Sequence, residues 1–327
     1  LANLPIATQT LAAIYGLNGN RLQRQYRNHF SDYEKFKKEQ QNKDYLLFGH
    51  NLTETLSIDE TALSNGELYT IVTSKAARGR KGSLLAMVKG TVADKISEVL
   101  EQIPEKIRKQ VREVSADMAA PLQSVIRRCF PQADLVVDRF HVQQLAFDAV
   151  QEVRIALRWQ ALDAENEAIN RAKSEGRTYR QEVLENGDTL KQLLVRSRYL
   201  LFKHPRLWSE EQKQRAVLLF ERYPELEKAY GLATDLGNIY RQCTSKEQAF
   251  KHLALWYNKV EDAAIASFRT VARSIQQHYI NILNFFNNRT TNANAESFNA
   301  KIKNFRAQFR GVKDKNFFLF RLSKLYA

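Results

Sequence analysis

The chain has 327 residues, 44% of them hydrophobic, with 50 Lys and Arg against 36 Asp and Glu, a formal net charge of +14 and a pI near 9.7. That apolar content excludes disorder throughout, the length suits two or three domains, and the basic excess points to a polyanion, nucleic acid before an anionic membrane surface. No run of about 18 apolar residues and no signal peptide is present, which argues against membrane spanning and secretion, and Cys129 and Cys243 are too few for a disulfide framework or a cysteine zinc cluster.

Residues 1 to 45 read as helical: Leu11, Ile14, Tyr15, Leu22 and Tyr26 recur at helical spacing, with a break at Gly16 and Gly19. The basic second helix (Arg21, Arg24, Arg27) fits either a DNA-reading helix-turn-helix or a plain helical hairpin with a solvated charged face. Near residue 53 the period changes to two, and a strand ends at Asp59. Ser64-Asn65-Gly66 is a hairpin turn signal, Leu68 to Thr73 the returning strand, and Leu84 to Val88 a third strand after the basic turn Lys75 to Gly82. A helix from Val92 to Lys109 is divided at Pro104. A fourth strand, Val111 to Ala116, is ended by Asp117; a helix spans Pro121 to Phe130; a short buried strand, Leu135 to Val137, is ended by Asp138. Three meandering strands followed by helix, strand, helix, strand is the order of an RNase H-like fold. From Leu145 to Phe286 the periodicity is almost purely helical, interrupted by a polar connection from Lys173 to Asp188, with Pro205 and Pro224 at helix starts or turns. After an Asn-rich stretch a last helical segment opens near Ala295 and carries Glu296.

Asp59 and Asp117 each sit where an apolar strand ends, the place where an open α/β sheet sets its site. Phosphodiester chemistry recruits carboxylates from separate elements to hold two divalent ions about 4 Å apart, and hard oxygen ligands suit Mg²⁺ or Mn²⁺. None of these acids is unusual alone; the pattern lies in the three together within that strand order. The six histidines show no ligand spacing, so zinc is not expected.

Three stretches resemble prokaryotic insertion-sequence transposases with a DDE, RNase H-like catalytic domain: Ser57-Ile58-Asp59-Glu60-Thr61; Ser115-Ala116-Asp117-Met118 continued by Pro131 through Asp138-Arg139-Phe140-His141; and Asn294-Ala295-Glu296-Ser297-Phe298-Asn299-Ala300-Lys301-Ile302-Lys303. The resemblance covers residues 50 to 320. It implies that Asp59, Asp117 and Glu296 are the catalytic, metal-holding acids for two Mg²⁺ or Mn²⁺ ions. Asp138 and His141 match the C/D-x-x-H signature shared with hAT and Mutator-like transposases, which follows the second catalytic Asp. Motif and strand count favour Asp117 over Asp138 as that Asp, and both remain open at this point. His141 is either a structural hydrogen-bond donor to Asp138 at a helix start or a contact to DNA or metal. The resemblance further implies DNA cleavage and joining, DNA as partner, a homo-oligomer and a bacterial cytoplasmic, nucleoid-associated location. A related nuclease without joining, and a silent transposase-derived DNA-binding protein, are the alternatives.

The expected organisation is therefore α/β: an RNase H-like mixed sheet interrupted by a large all-α insertion, with a helical segment at residues 1–50, the catalytic domain at 51–144 and 287–327, and the insertion at 145–286. From Lys301 to Ala327 eight basic residues stand against Asp314, interleaved with phenylalanines. Lys301, Lys303, Arg306 and Arg310, with Arg78, Arg80 and Lys81 of the basic turn, are the candidate phosphate contacts. Trp159, Trp208 and Trp256 lie among apolar neighbours and read as core.

Overall fold

The structure, a computed structural model, describes residues 3–63, 66–289, 293–309 and 314–327, with the side chains of all of these except 293–296. It forms two compact units, Leu1–Asp138 with Asn288–Ala327, and Arg139–Asn287.

The first unit opens with α1 (Thr8–Ile14), α2 (Gly19–Asn28) and α3 (Tyr33–Glu39). Gly16 takes φ +65° between the first two, and the Asn18 side chain caps α2 by accepting from the Arg21 N–H. Ile14 and Tyr15 are exposed, because α1 is short and its inward face is Thr8 and Ala12. A six-stranded sheet follows, built from β1 (Tyr45–Leu47), β2 (Thr55–Ala62), β3 (Leu68–Ser74), β4 (Leu84–Lys89), β5 (Glu113–Ala116) and β6 (Asp134–Val137) in the order β1-β4-β3-β2-β5-β6. The first four strands pair antiparallel; β2, β5 and β6 are parallel. Strand β1 replaces what the sequence reading left at the end of the helical segment: three residues are too few to show a period. Of the expected turn, Ser64 and Asn65 lie outside the described residues and Gly66 has φ +78°. Helices α4 (Ala93–Leu100), α5 (Glu105–Arg108) and α6 (Ala120–Cys129) connect the later strands, with Pro104 dividing the first two as its missing N–H requires.

The second unit consists of α7 (Arg139–Ser174), α8 (Leu190–Arg196), α9 (Glu210–Arg222), α10 (Pro224–Gln242), α11 (Lys246–Ala263), α12 (Ala266–Gln277), α13 (Tyr279–Leu283) and α14 (Phe285–Asn288), the last reaching one residue into the first unit. Helix α7 starts at Arg139, directly after Asp138, rather than near Leu145. Its buried residues run from Val142 to Leu157 and then stop. Trp159 falls on the part beyond and is 56% exposed, so it is not a core residue as expected. Trp256 is: it is buried and its indole N–H donates to the Leu232 carbonyl at 2.9 Å. Half-buried Trp208 stacks on Tyr230.

The chain completes the first unit with α15 (Ala293–Ala307) and α16 (Lys315–Tyr326). One sheet face is covered by α4 and α6 through Leu56, Ile58, Val114, Ala116, Ile96 and Val125. The opposite face, around Ile71, Leu84 and Met87, is covered by α15 and α16 through Phe298, Ile302, Phe305 and Phe318. Each of the Leu, Ile, Val, Met and Phe side chains among these contributes roughly 1.5–3 kcal/mol by leaving water. Phe317 and Phe320 of α16 also pack on Tyr26 and Tyr33, and Arg27 pairs with Asp314 at 3.2 Å. Thus α2 and α3 are fastened to the last helix. The architecture is the mixed α/β, RNase H-like sheet with an added helical unit that the sequence suggested.

Candidate active site

The parallel pairing of β2 and β5 puts Ser57 opposite Ser115, and the two hydroxyls touch, Ser115 Oγ donating to Ser57 Oγ at 3.3 Å. Side chains two residues apart on a strand share a face. Asp59 and Asp117 therefore follow Ser57 and Ser115 on one face at the C-terminal end of neighbouring parallel strands. Asp117 lies just past the end of β5. The intervening residues, Ile58 and Ala116, point into the opposite, apolar core.

Both carboxylates are half-buried and held by hydrogen bonds. One oxygen of Asp59 accepts from the Glu60 N–H at 2.8 Å and the other from Asn299 Nδ2 at 2.5 Å. Asp117 accepts from the Ala119 N–H at 2.9 Å, at the start of α6. Glu60, which the sequence reading did not single out, adds a third carboxyl. Burial first, and then the negative charges of Asp117 and Asp59, raise it above the usual carboxylate range. Carboxylate oxygens are hard donors, of the kind that suits Mg²⁺ or Mn²⁺. Among the described residues no three acidic, His or Cys side chains group closely enough to hold a metal ion. Glu296 belongs to α15, and its side chain is outside the described residues.

Helix α15 is tied to the strand through Asn299, one turn after Glu296 in sequence. Sequence reasoning missed this contact of Asn299, which lies inside the stretch around Glu296, because nothing in spacing links it to Asp59, 240 residues away. A second polar anchor lies on the Ser115 face of β5: Glu113 pairs with Lys75 at 2.8 Å, both buried, and accepts from Asn288 at 3.4 Å, just ahead of α15. Asp138 follows β6, is buried, and donates its N–H to the Ala116 carbonyl at 3.0 Å, which aligns it with the end of β5. His141 is in the first turn of α7.

Of the candidate phosphate contacts, Lys301 donates to the Gly79 carbonyl at 2.8 Å and Arg306 to the Ala62 carbonyl at 3.0 Å. Lys303, Arg78, Arg80 and Lys81 are exposed, and Arg310 lies outside the described residues. No helix among the described residues is long and apolar enough to cross a membrane.

The chain is 23% identical over 273 residues to the transposase for insertion sequence element IS1001 from Bordetella parapertussis, an alignment covering 82% of this chain and 60% of that relative. A family model described as a transposase, of the ISL3 DDE type, matches residues 56–322, from β2 through most of α16. The chain belongs to the ISL3-type family of DDE transposases.

Proposed function

We propose that this chain cleaves DNA at the ends of an insertion element and joins those ends to target DNA, with Asp59, Asp117 and Glu296 as its acidic triad. The observation that carries the reading is the shared face of Asp59 and Asp117 on adjacent parallel strands, with Asn299 bonding the Glu296-bearing helix to Asp59. Two divalent ions, Mg²⁺ or Mn²⁺, would be held by the three acids; bound there, such ions activate the attacking oxygen and stabilise the leaving one. Asn299 and the Ala119 N–H orient the two aspartates, so that the carboxylates need little rearrangement on binding. Water attacks the phosphodiester at the element's end and the 3′-oxygen leaves. The freed 3′-hydroxyl then attacks a target phosphodiester and displaces its 3′-oxygen in turn. In this reading Asp138 and His141 support the site rather than supply its second acid: Asp138 ends β6, one strand further from Asp59. Lys301, Lys303, Arg306 and Arg310, with Arg78, Arg80 and Lys81, hold phosphates. Two element ends call for two protomers, so the working form is a homo-oligomer acting in the bacterial cytoplasm at the nucleoid.

The test is cleavage and strand transfer on DNA carrying the element's ends, with Asp59→Asn, Asp117→Asn and Glu296→Gln measured singly. Each should abolish both steps while end binding persists, and EDTA should stop the wild-type protein. A folded Glu296→Gln protein cutting at the wild-type rate would remove Glu296 from the site. Cleavage without any joined product would favour a nuclease.

A further inference from the structure

We infer that the outer face of α7 is an interface, on which a second copy of this chain lays its own α7 parallel and in register. The inference deepens the homo-oligomer of the transposase reading and rests on that reading only for the need of two copies. Helix α7 is 36 residues long, and its buried residues end at Leu157. From there one edge, Leu157, Ala161, Ala164 and Ala168, faces residues 179–191 of the same unit across a small cleft. The opposite edge is open: Ile155, Trp159, Asn166 and Ile169 are exposed and Leu162 is half-buried. Ile155, Trp159, Leu162 and Asn166 each stand two positions from a residue of the inner edge, about 200° around the helix axis.

The open stripe has the spacing of a two-helix seam. Ile155, Leu162 and Ile169 recur every seven residues, and Trp159 and Asn166 follow the first two of them by four. A period of 3.5 residues keeps such a stripe facing a partner helix that coils around it. Two heptads would not form a helix on their own, but α7 is already held by α8, α10 and α12, so docking orders only side chains. Two features select a second copy and its direction. Asn166 is the polar member of the stripe; in a parallel pair it meets its counterpart, whereas an antiparallel pair would set it against an apolar side chain. Arg158 and Asp163 flank the stripe on its two sides, both exposed and neither with an ion-pair partner among the described residues. Five residues apart, they occupy the positions that meet across a parallel pair, Arg158 of each copy against Asp163 of the other. An antiparallel pair would set Arg158 against Glu165, whose carboxylate already holds Lys191 and Gln181.

Sedimentation equilibrium of the full chain without DNA, over a concentration series, measures the self-association. The wild type should dimerise. Arg158→Asp and Asp163→Arg change exposed side chains, and a thermal melt checks that each variant folds. Either variant alone sets like charges against each other at both flanks and should dimerise roughly tenfold more weakly. An equimolar mixture of the two restores opposite charges at both flanks of the mixed dimer and should recover wild-type association. Trp159→Glu places a charge in the seam and should leave a monomer. A monomeric wild type, or a Trp159→Glu protein that associates as the wild type does, overturns the interface. So do single reversals without effect and a mixture no tighter than its components. None of these results touches the acidic triad, which is read from cleavage of element ends. A dimer that follows the expected pattern but neither binds nor cuts element ends overturns the transposase reading and upholds the interface.

Discussion

The two faces of β2 and β5 are made from alternate residues of the same short segments, yet they do opposite work. Leu56, Ile58, Val114 and Ala116 are buried against α4 and α6 with no polar partner to satisfy. Ser57, Asp59, Glu113, Ser115 and Asp117, one position out of phase, form a polar face crossed by hydrogen bonds from Asn288 and Asn299. A strand's period of two lets one sequence anchor the fold on one side and display carboxylates on the other. The apolar face supplies the rigidity that keeps the carboxylates in register, so stability and chemistry should separate when neighbouring residues are changed.

The sharpest contrast is between Asp59 and Ile58. Asp59→Asn should remove strand cleavage altogether and shift the melting temperature little, since the amide keeps an acceptor for the Glu60 N–H. Ile58→Ala opens a cavity in a fully buried position and should cost about 2–5 kcal/mol, visible as a lower urea midpoint. If Ile58→Ala proved neutral and Asp59→Asn unfolded the protein, the division of labour would be wrong.

Lys75 and Glu113 test whether the polar face also carries structure. Both side chains are buried, and replacing Lys75 by Met leaves the Glu113 carboxylate without its ammonium partner. That should destabilise by about 3–5 kcal/mol, more than the pair contributes net, because an uncompensated buried charge remains. Adding Glu113→Gln on top of Lys75→Met should recover much of the loss; a double variant no better than the single would mean that the pair is not coupled.

Asn299→Ala should have a smaller effect, seen in function before stability. Losing the donor to Asp59 frees the carboxylate's rotamer, and activity should fall by roughly 10–100-fold with a weaker apparent affinity for Mg²⁺. Excess Mg²⁺ should restore part of it. A loss of folding with no change in metal dependence would make Asn299 merely structural.

The weakest effect is in pH. Glu60 titrates above its ordinary value in the folded chain, through burial and the charges of Asp117 and Asp59. The folded state therefore binds this proton more tightly than the unfolded one. The stability that protonation confers is complete below the unfolded pKa and is lost as pH rises through the folded one. Glu60→Gln should flatten that fall in a pH series of thermal melts, and Mg²⁺ should flatten it in the wild-type chain by drawing the carboxyl back down. A pH profile identical in wild type and Glu60→Gln would detach Glu60 from the cluster.

The basic composition, the strand-ending acids and the change from period two to helical period could be read along the chain, because propensity and alternation are local. So could the three short stretches that resemble insertion-sequence transposases. Other features depended on residues far apart in sequence. Strand β1 is too short to carry a pattern and exists because β4 offers it an edge. Trp159 looked like core until the length of α7 placed it past the last buried turn. The contact of Asn299 with Asp59, the shared face of Asp59 with Asp117, and the meeting of Lys301 with the Gly79 turn each join segments tens to hundreds of residues apart. Side-chain periodicity specifies which face a residue takes within its own element; only packing of one element on another decides what that face meets.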